Sequence, residues 1–212
     1  MSPADFDTYF DHRASRFASF YWSEPVSRVL GRGALFDRLR GAVDMVVSCG
    51  ATSVLDVGCG SGPLFAPLAG LGISVRGIDP APAMVALARE EAKRNPELVN
   101  VEERGWEDVD EKDAYGAAVA LGVFDYVEDP VALLARMGHA APDVIGSFPA
   151  HGLRLRLRQF RYGARGVSVH GYSRGELVGL ASRAGLEMRT VVPLGRAGFL
   201  VHFRRTNSST PL

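Results

Sequence analysis

Lysine is nearly absent from this chain of 212 residues: Lys93 and Lys112 stand against 22 arginines. Arginine has largely replaced lysine throughout, so an arginine at any one place is weak evidence for an anionic partner. Cysteine is scarce too. Cys49 and Cys59 have no metal-ligand spacing and form no disulfide framework, which points to reduced thiols, a cytoplasmic setting and no bound metal. There is no charge excess: 24 basic and 24 acidic side chains cancel. Taken whole, the chain therefore lacks the surface expected for a nucleic-acid or anionic-membrane partner. No apolar run approaches the ~20 residues that span a bilayer, and Met1-Ser2-Pro3-Ala4-Asp5 is not a signal peptide. Internal repeats are absent. What is present in quantity is apolar surface, 47% of residues, enough for one domain with a proper core.

The most informative stretch runs from Ala51 to Gly62. Ala51–Val57 is aliphatic and β-branched, as in a buried strand. Three alternate glycines follow, where backbone can turn tightly and approach a ligand, and Pro63–Gly70 is apolar enough for a helix on a sheet. Such a strand, turn and helix places a nucleotide-like ligand at a helix N-terminus. A dinucleotide fingerprint G-x-G-x-x-G fits Gly58 and Gly60 but meets Pro63 in the third slot. The pattern is instead Asp56-x-Gly58-x-Gly60-x-Gly62. A carboxylate two residues before the first glycine suits a cationic amine and repels a pyrophosphate. A second strand over Ile73–Ile78 ends at Asp79, about 20 positions past the glycines, where an acid accepts ribose hydroxyls. A helix N-cap before Pro80 is the alternative for Asp79.

The run from Asp56 to Gly62, with Asp79-Pro80-Ala81-Pro82-Ala83-Met84, resembles the first two motifs of the class I S-adenosylmethionine-dependent methyltransferases, small-molecule type. The resemblance extends over about Ala51–Arg204 and implies S-adenosylmethionine as cofactor. It assigns the methionine end to Asp56, Gly58, Cys59, Gly60 and Gly62 and the ribose to Asp79. The adenine falls to Pro80, Met84, Trp106 and Glu107, with Leu121 at the next strand end. Trp106 occupies or adjoins the slot where the family places an adenine-binding acid, so Glu107 beside it is the expected hydrogen-bonding residue.

The remaining pattern implies an α/β, Rossmann-like, mostly parallel seven-stranded sheet with helices on both faces and a C-terminal antiparallel hairpin. Residues 1–50 read as a helical extension or cap with an aromatic-rich first helix broken near Pro25. Residues 51–205 are the cofactor-binding domain and 206–212 a disordered polar tail. Strands are expected at Val99–Glu103, Ala117–Leu121, Val144–Phe148, Met188–Val192 and Phe199–Arg204. Helices are expected after Asp79, over Val131–Met137, and within Gly171–Ala184.

Methyl transfer from a sulfonium is mostly alignment and desolvation, and a base is needed only where the acceptor must lose a proton. Asp125, Tyr126, His151 and His170 are near enough, with His151 and Tyr126 the expected catalytic residues. The segment His151–Arg165 holds five arginines, no acid, and interleaved Leu153, Leu155, Leu157, Phe160 and Tyr162. It reads either as a solvated helix face or as an amphipathic lid for an anionic, partly apolar small molecule. An oligomeric state is not legible, and two alternatives stay open: a cofactor-binding member without turnover, and an NAD-dependent oxidoreductase.

Overall fold

The computed structural model describes residues 33–163 and 167–206. The aromatic-rich first helix, the break near Pro25 and the tail beyond Thr206 lie outside the described residues. The helix α1 (Gly33–Ser48) leads into β1 (Ser53–Val57), α2 (Phe65–Ala69), β2 (Ser74–Asp79) and α3 (Pro82–Ala92). Then come β3 (Val99–Glu103), a 3-10 turn (Trp106–Asp108), β4 (Ala117–Ala120), α4 (Pro130–Ala140) and β5 (Asp143–Pro149). The chain continues through α5 (Leu153–Gly163), α6 (Arg174–Arg183), β6 (Leu186–Pro193) and β7 (Gly198–Arg205). Strand order is β3-β2-β1-β4-β5-β7-β6. The pairs among β1 to β5 are parallel, and β7 runs antiparallel to both β5 and β6. The sheet is thus seven-stranded and mixed, with the expected terminal hairpin.

Alternation along each strand explains the two cores. Val54, Val75, Ala117, Val119 and Ile145 point to one face, against Ala42 and Val46 of α1, Phe65 and Leu68 of α2, and Val85 and Ala88 of α3. Leu55, Val57, Ala118, Ala120 and Val144 point to the other, against Leu134 and Met137 of α4 and Leu177 and Leu180 of α6. Both faces being covered, β1 and β4 read as continuous apolar runs rather than alternating ones. Within the segment assigned to an N-terminal extension, α1 is a core helix: Ala42 and Val46 are fully buried against the sheet. The α2 helix is shorter than Pro63–Gly70. Pro67 is its third residue, inside the first turn, where a missing N–H costs no helical bond.

At the amino end of β5, Cys49, Asp143 and His202 gather with their ligand-type atoms within 4.8 Å of one another. His202 Nε2 lies 2.7 Å from Asp143 Oδ1 and 3.5 Å from Cys49 Sγ. Burial, then the neighbouring Asp143, pushes the Cys49 thiol up to about 11. The cluster sits at the opposite end of the parallel strands from the glycine loop, and nothing in the residue spacing foreshadowed it.

Candidate functional site

Strand order reverses between β1 and β4, and the crevice outside their carboxyl ends is where open α/β sheets hold ligands. The residues selected from sequence collect along this edge. Asp56 is the penultimate residue of β1 and Asp79 the last of β2. Trp106 follows β3, Leu121 follows β4, and His151 lies just past β5.

Gly58, Gly60 and Gly62 adopt φ of 65°, 56° and 78°, a region that L side chains resist. Two of them are also closely packed: a Cβ on Gly58 would overlap the Val123 side chain, and one on Gly62 the Phe65 ring. Gly60 differs, since a Cβ there would meet nothing within 4 Å. Its φ demands glycine and its surroundings leave room beside the backbone. The Cys59 N–H donates to the Ile78 carbonyl at 3.0 Å, tying the loop to β2, and its side chain is buried.

Asp79 holds this loop in place. Its Oδ2 accepts from Gly60 N–H and its Oδ1 from Ala81 N–H, each at 2.9 Å. The N-cap of α3 is Ala81, so Asp79 is not that helix's cap. Both carboxylate oxygens of Asp79 thus hold backbone of the glycine loop and of the turn into α3. We expect Asp79→Ala to lose about 1–3 kcal/mol of stability, as the Gly60 and Ala81 N–H groups lose their acceptor. It should also weaken S-adenosylhomocysteine binding at least tenfold, measured by chemical denaturation and calorimetry. Unchanged affinity in the folded variant would leave Asp79 with only the loop to hold.

Asp56 is buried at 2% exposure, and among the described residues no hydrogen bond or ion pair reaches its carboxylate. Burial, reinforced by the charge of Asp79, pushes it up to about 8. Such a carboxylate is stabilised by an arriving cation. Together with the room beside the Gly60 backbone, the site fits a ligand that brings a cationic amine to Asp56.

The outer residues are less closely drawn in. Met84 is buried in a small cluster with Ala81, Ala83 and Leu87, and Pro80 is exposed. Trp106 is half-buried against the second core, whereas Glu107 is exposed, with its carboxylate folded back beside Gly105. Leu121 packs against the first core.

Beyond β4, Asp125 and Tyr126 are joined by two arginines from helices distant in sequence. Arg158 of α5 turns inward and donates to Asp125 Oδ2 at 2.6 Å and to the Tyr126 hydroxyl at 3.2 Å. Its guanidinium lies 5.9 Å from the ring centroids of both Tyr126 and Tyr162. Arg38 of α1 brings its guanidinium to Gly122, whose N–H donates to the buried Ser147 hydroxyl at 2.8 Å. Burial raises Asp125, and the neighbouring Arg158 and Arg38 partly offset it.

The two expected catalytic residues have different surroundings. His151 is 57% exposed with its Nε2 3.0 Å from Glu176 Oε2, at the capped start of α6. Burial and then Asp125 raise Tyr126 far above the ordinary phenol range, so it stays a neutral hydroxyl. The backbone N–H of His170 donates to the Asp125 carbonyl at 2.8 Å, and its Nε2 is buried without a hydrogen bond. The five-arginine segment also needs correcting: Arg158 has Asp125 as countercharge, 33 positions away in sequence.

Residues 54–141 match the model of a methyltransferase domain family. The ubiquinone biosynthesis O-methyltransferase of Methylobacterium nodulans is 35% identical over 111 residues, covering 52% of this chain and 44% of that protein. The same-named protein of Rhodopseudomonas palustris strain BisB18 is 32% identical over 83 residues, 39% of this chain and 33% of that protein. The chain thus matches less than half the length of these curated relatives. Among solved structures, the magnesium protoporphyrin IX methyltransferase from Synechocystis PCC 6803 with bound SAH superposes with a TM-score of 0.80. Its sequence identity is 20%, covering 97% of this chain and 100% of that one. An O-methyltransferase from neocarzinostatin biosynthesis, in complex with SAH and 1,4-dihydroxy-2-naphthoic acid, gives 0.62 at 24% identity. That match covers 74% of this chain and 50% of the other, and both likenesses speak to the fold.

Proposed function

We propose that this chain, which belongs to the class I S-adenosylmethionine-dependent methyltransferases, binds that cofactor in the β1–β4 crevice and methylates an oxygen of a small anionic molecule. The observation that carries the reading is Asp56: a buried carboxylate raised by burial and by Asp79, beside a glycine loop with open space at Gly60. Asp56 would hold the cationic amine and Asp79 the ribose, with Met84 and Trp106 as apolar contacts for the adenine. When bound, the cofactor supplies an already activated methyl group. The chain's own contribution is then to orient the acceptor and exclude water.

Oxygen as acceptor atom is supported by the O-methyltransferases among the relatives. An acceptor already ionised is supported by the chemistry around Asp125. Tyr126 is held as a neutral phenol, so it takes no proton from the acceptor, and the Nε2 of exposed His151 is turned to Glu176. A carboxylate or other ionised oxygen needs no base. Arg158 and Arg38 supply guanidinium groups with the geometry to orient such an anion, and Tyr126 and Tyr162 supply ring surface.

Calorimetry with S-adenosylhomocysteine and NAD side by side tests the cofactor. We expect binding of the first only, since Asp56 repels a pyrophosphate and Pro63 breaks the dinucleotide pattern. Binding of NAD with equal or better affinity would overturn the reading. Methyl transfer to carboxylated and neutral aromatic acceptors tests the other half. We expect a preference for the anion that shrinks with added salt. Cofactor binding without transfer to either class would leave a member of the fold that has no turnover.

A further inference from the structure

The outer face of α5 is built unlike the outer faces of the other described helices. At 3.6 residues per turn, Leu155, Arg158, Gln159 and Tyr162 fall on one side. Leu155 is buried, Arg158 reaches Asp125, and Gln159 donates to the Val169 carbonyl. The opposite side carries Leu153, Leu157 and Phe160, which are 84%, 62% and 80% exposed. The spacing of four and then three puts all three in one stripe directly away from the protein. Exposed Arg156 borders the stripe on one side and exposed Arg161 on the other. The surrounding segment 151–165 contains five arginines and no acid.

An apolar stripe pointing at water and bordered by arginines has the form of a helix lying in a lipid interface. The apolar side chains enter the acyl boundary while guanidinium groups on flexible stems stay at headgroup level. We propose that α5 docks this protein onto an anionic lipid surface, with Leu153, Leu157 and Phe160 inserted and Arg156 on the headgroups. Charge complementarity selects lipid over a second copy of the chain, because two such faces would bring arginine against arginine. The chain's zero net charge, read from sequence as evidence against an anionic membrane, averages over a surface on which this segment is wholly cationic. No helix among the described residues is long and apolar enough to cross a membrane, and α5, at 11 residues, would lie in the surface plane. The inward side of the same helix contacts Asp125 and Tyr126. Docking there would therefore bring the crevice to the headgroup plane, where an anionic acceptor with an apolar body resides.

Sedimentation with vesicles tests this, using phosphatidylcholine alone and phosphatidylcholine mixed with phosphatidylglycerol. The intact chain should bind the mixed vesicles and leave the neutral ones. Added salt should weaken binding, and Arg156→Glu should reduce it at least fivefold. The pair Leu157→Glu and Phe160→Glu should abolish sedimentation while S-adenosylhomocysteine affinity and thermal midpoint stay at parental values, since both side chains are exposed. Failure of the parent to bind mixed vesicles would overturn the proposal. So would equal sedimentation of parent and Glu pair. A parental dimer in light scattering that the Glu pair converts to monomer, with vesicle binding unchanged, would assign the face to a second copy instead. Sedimentation, light scattering and the thermal midpoint need neither cofactor binding nor turnover, so the test stands apart from the proposed activity.

Discussion

Asp56→Asn should make the ligand-free protein more heat-stable and at the same time unable to hold the cofactor well. The first effect follows from burial. Asp56 is pushed up to about 8, while in the unfolded chain it titrates as an ordinary carboxyl near 3.8. Between those values the unfolded chain releases a proton that the folded chain retains. Wild-type stability therefore falls as pH rises from about 4 to 8 and is level above, where both states are ionised. Each unit of upward shift corresponds to about 1.4 kcal/mol, so a destabilisation of several kcal/mol accumulates by pH 8 that asparagine does not incur. At roughly 2–4 °C per kcal/mol for a chain of this size, the melting midpoint should rise visibly at pH 8 and hardly at pH 4.5. The second effect has the opposite consequence. Losing a charged hydrogen bond costs about 1.5–3 kcal/mol, which is about a ten- to hundredfold loss of S-adenosylhomocysteine affinity. Binding by the parent at pH 7 should also release a proton, seen as a dependence of the calorimetric heat on the ionisation enthalpy of the buffer. A midpoint difference independent of pH would mean that Asp56 is ionised normally in the folded chain and that its burial carries no charge penalty.

A residue whose removal would stabilise the fold and weaken the ligand is the expected cost of a preformed binding site. It also explains why Asp56 was legible in sequence at all. An acid inside a run of Val, Leu and Val has no reason to be in a buried strand except to meet something. The same holds for the glycine loop and Asp79, whose roles depend on neighbours within about 20 positions and so leave a pattern along the chain. The mostly parallel sheet could be anticipated for a related reason: β1 to β5 alternate with helices, and right-handed crossovers then restrict the topology.

The illegible features depend on pairs far apart in sequence. Arg158 meets Asp125 across 33 positions, and Cys49 meets His202 across 153. Arg38 reaches Gly122 from a helix whose arginines look like any solvated face. In the segment from 151 to 165, leucines at 153, 155 and 157 alternate with arginines and give no strand. In a helix they divide, Leu155 inward and the other two outward. Only the tertiary position of Leu155, packed beside Gly171, decides which side is which. Helical periodicity shows two faces and leaves the choice of the buried one to the fold.

The inward face gives the second large effect. Arg158→Met removes the cation beside Asp125, a carboxylate with 11% of its side chain exposed. Breaking a buried ion pair from one side typically costs about 3–5 kcal/mol. Arg158 is itself 31% exposed, so solvent screening brings the expected cost below that range, to about 2–3 kcal/mol at pH 8. The size depends on pH in a defined direction. Without Arg158, burial raises Asp125 further above its unfolded value, and the carboxyl can escape the penalty by keeping its proton. The loss of stability should therefore be small near pH 4 and grow as pH rises toward the raised value. Adding Asp125→Asn should return most of the lost stability, since a neutral amide needs no countercharge; a double-mutant cycle then isolates the coupling between the two. Transfer kinetics separate this structural role from a role toward the acceptor. If Arg158 also orients an anionic acceptor, the restored double variant should still show KM for a carboxylated acceptor raised tenfold or more, with KM for S-adenosylmethionine unchanged. Parental KM for the carboxylated acceptor in that variant would confine Arg158 to holding Asp125 and place recognition of the anion on other residues.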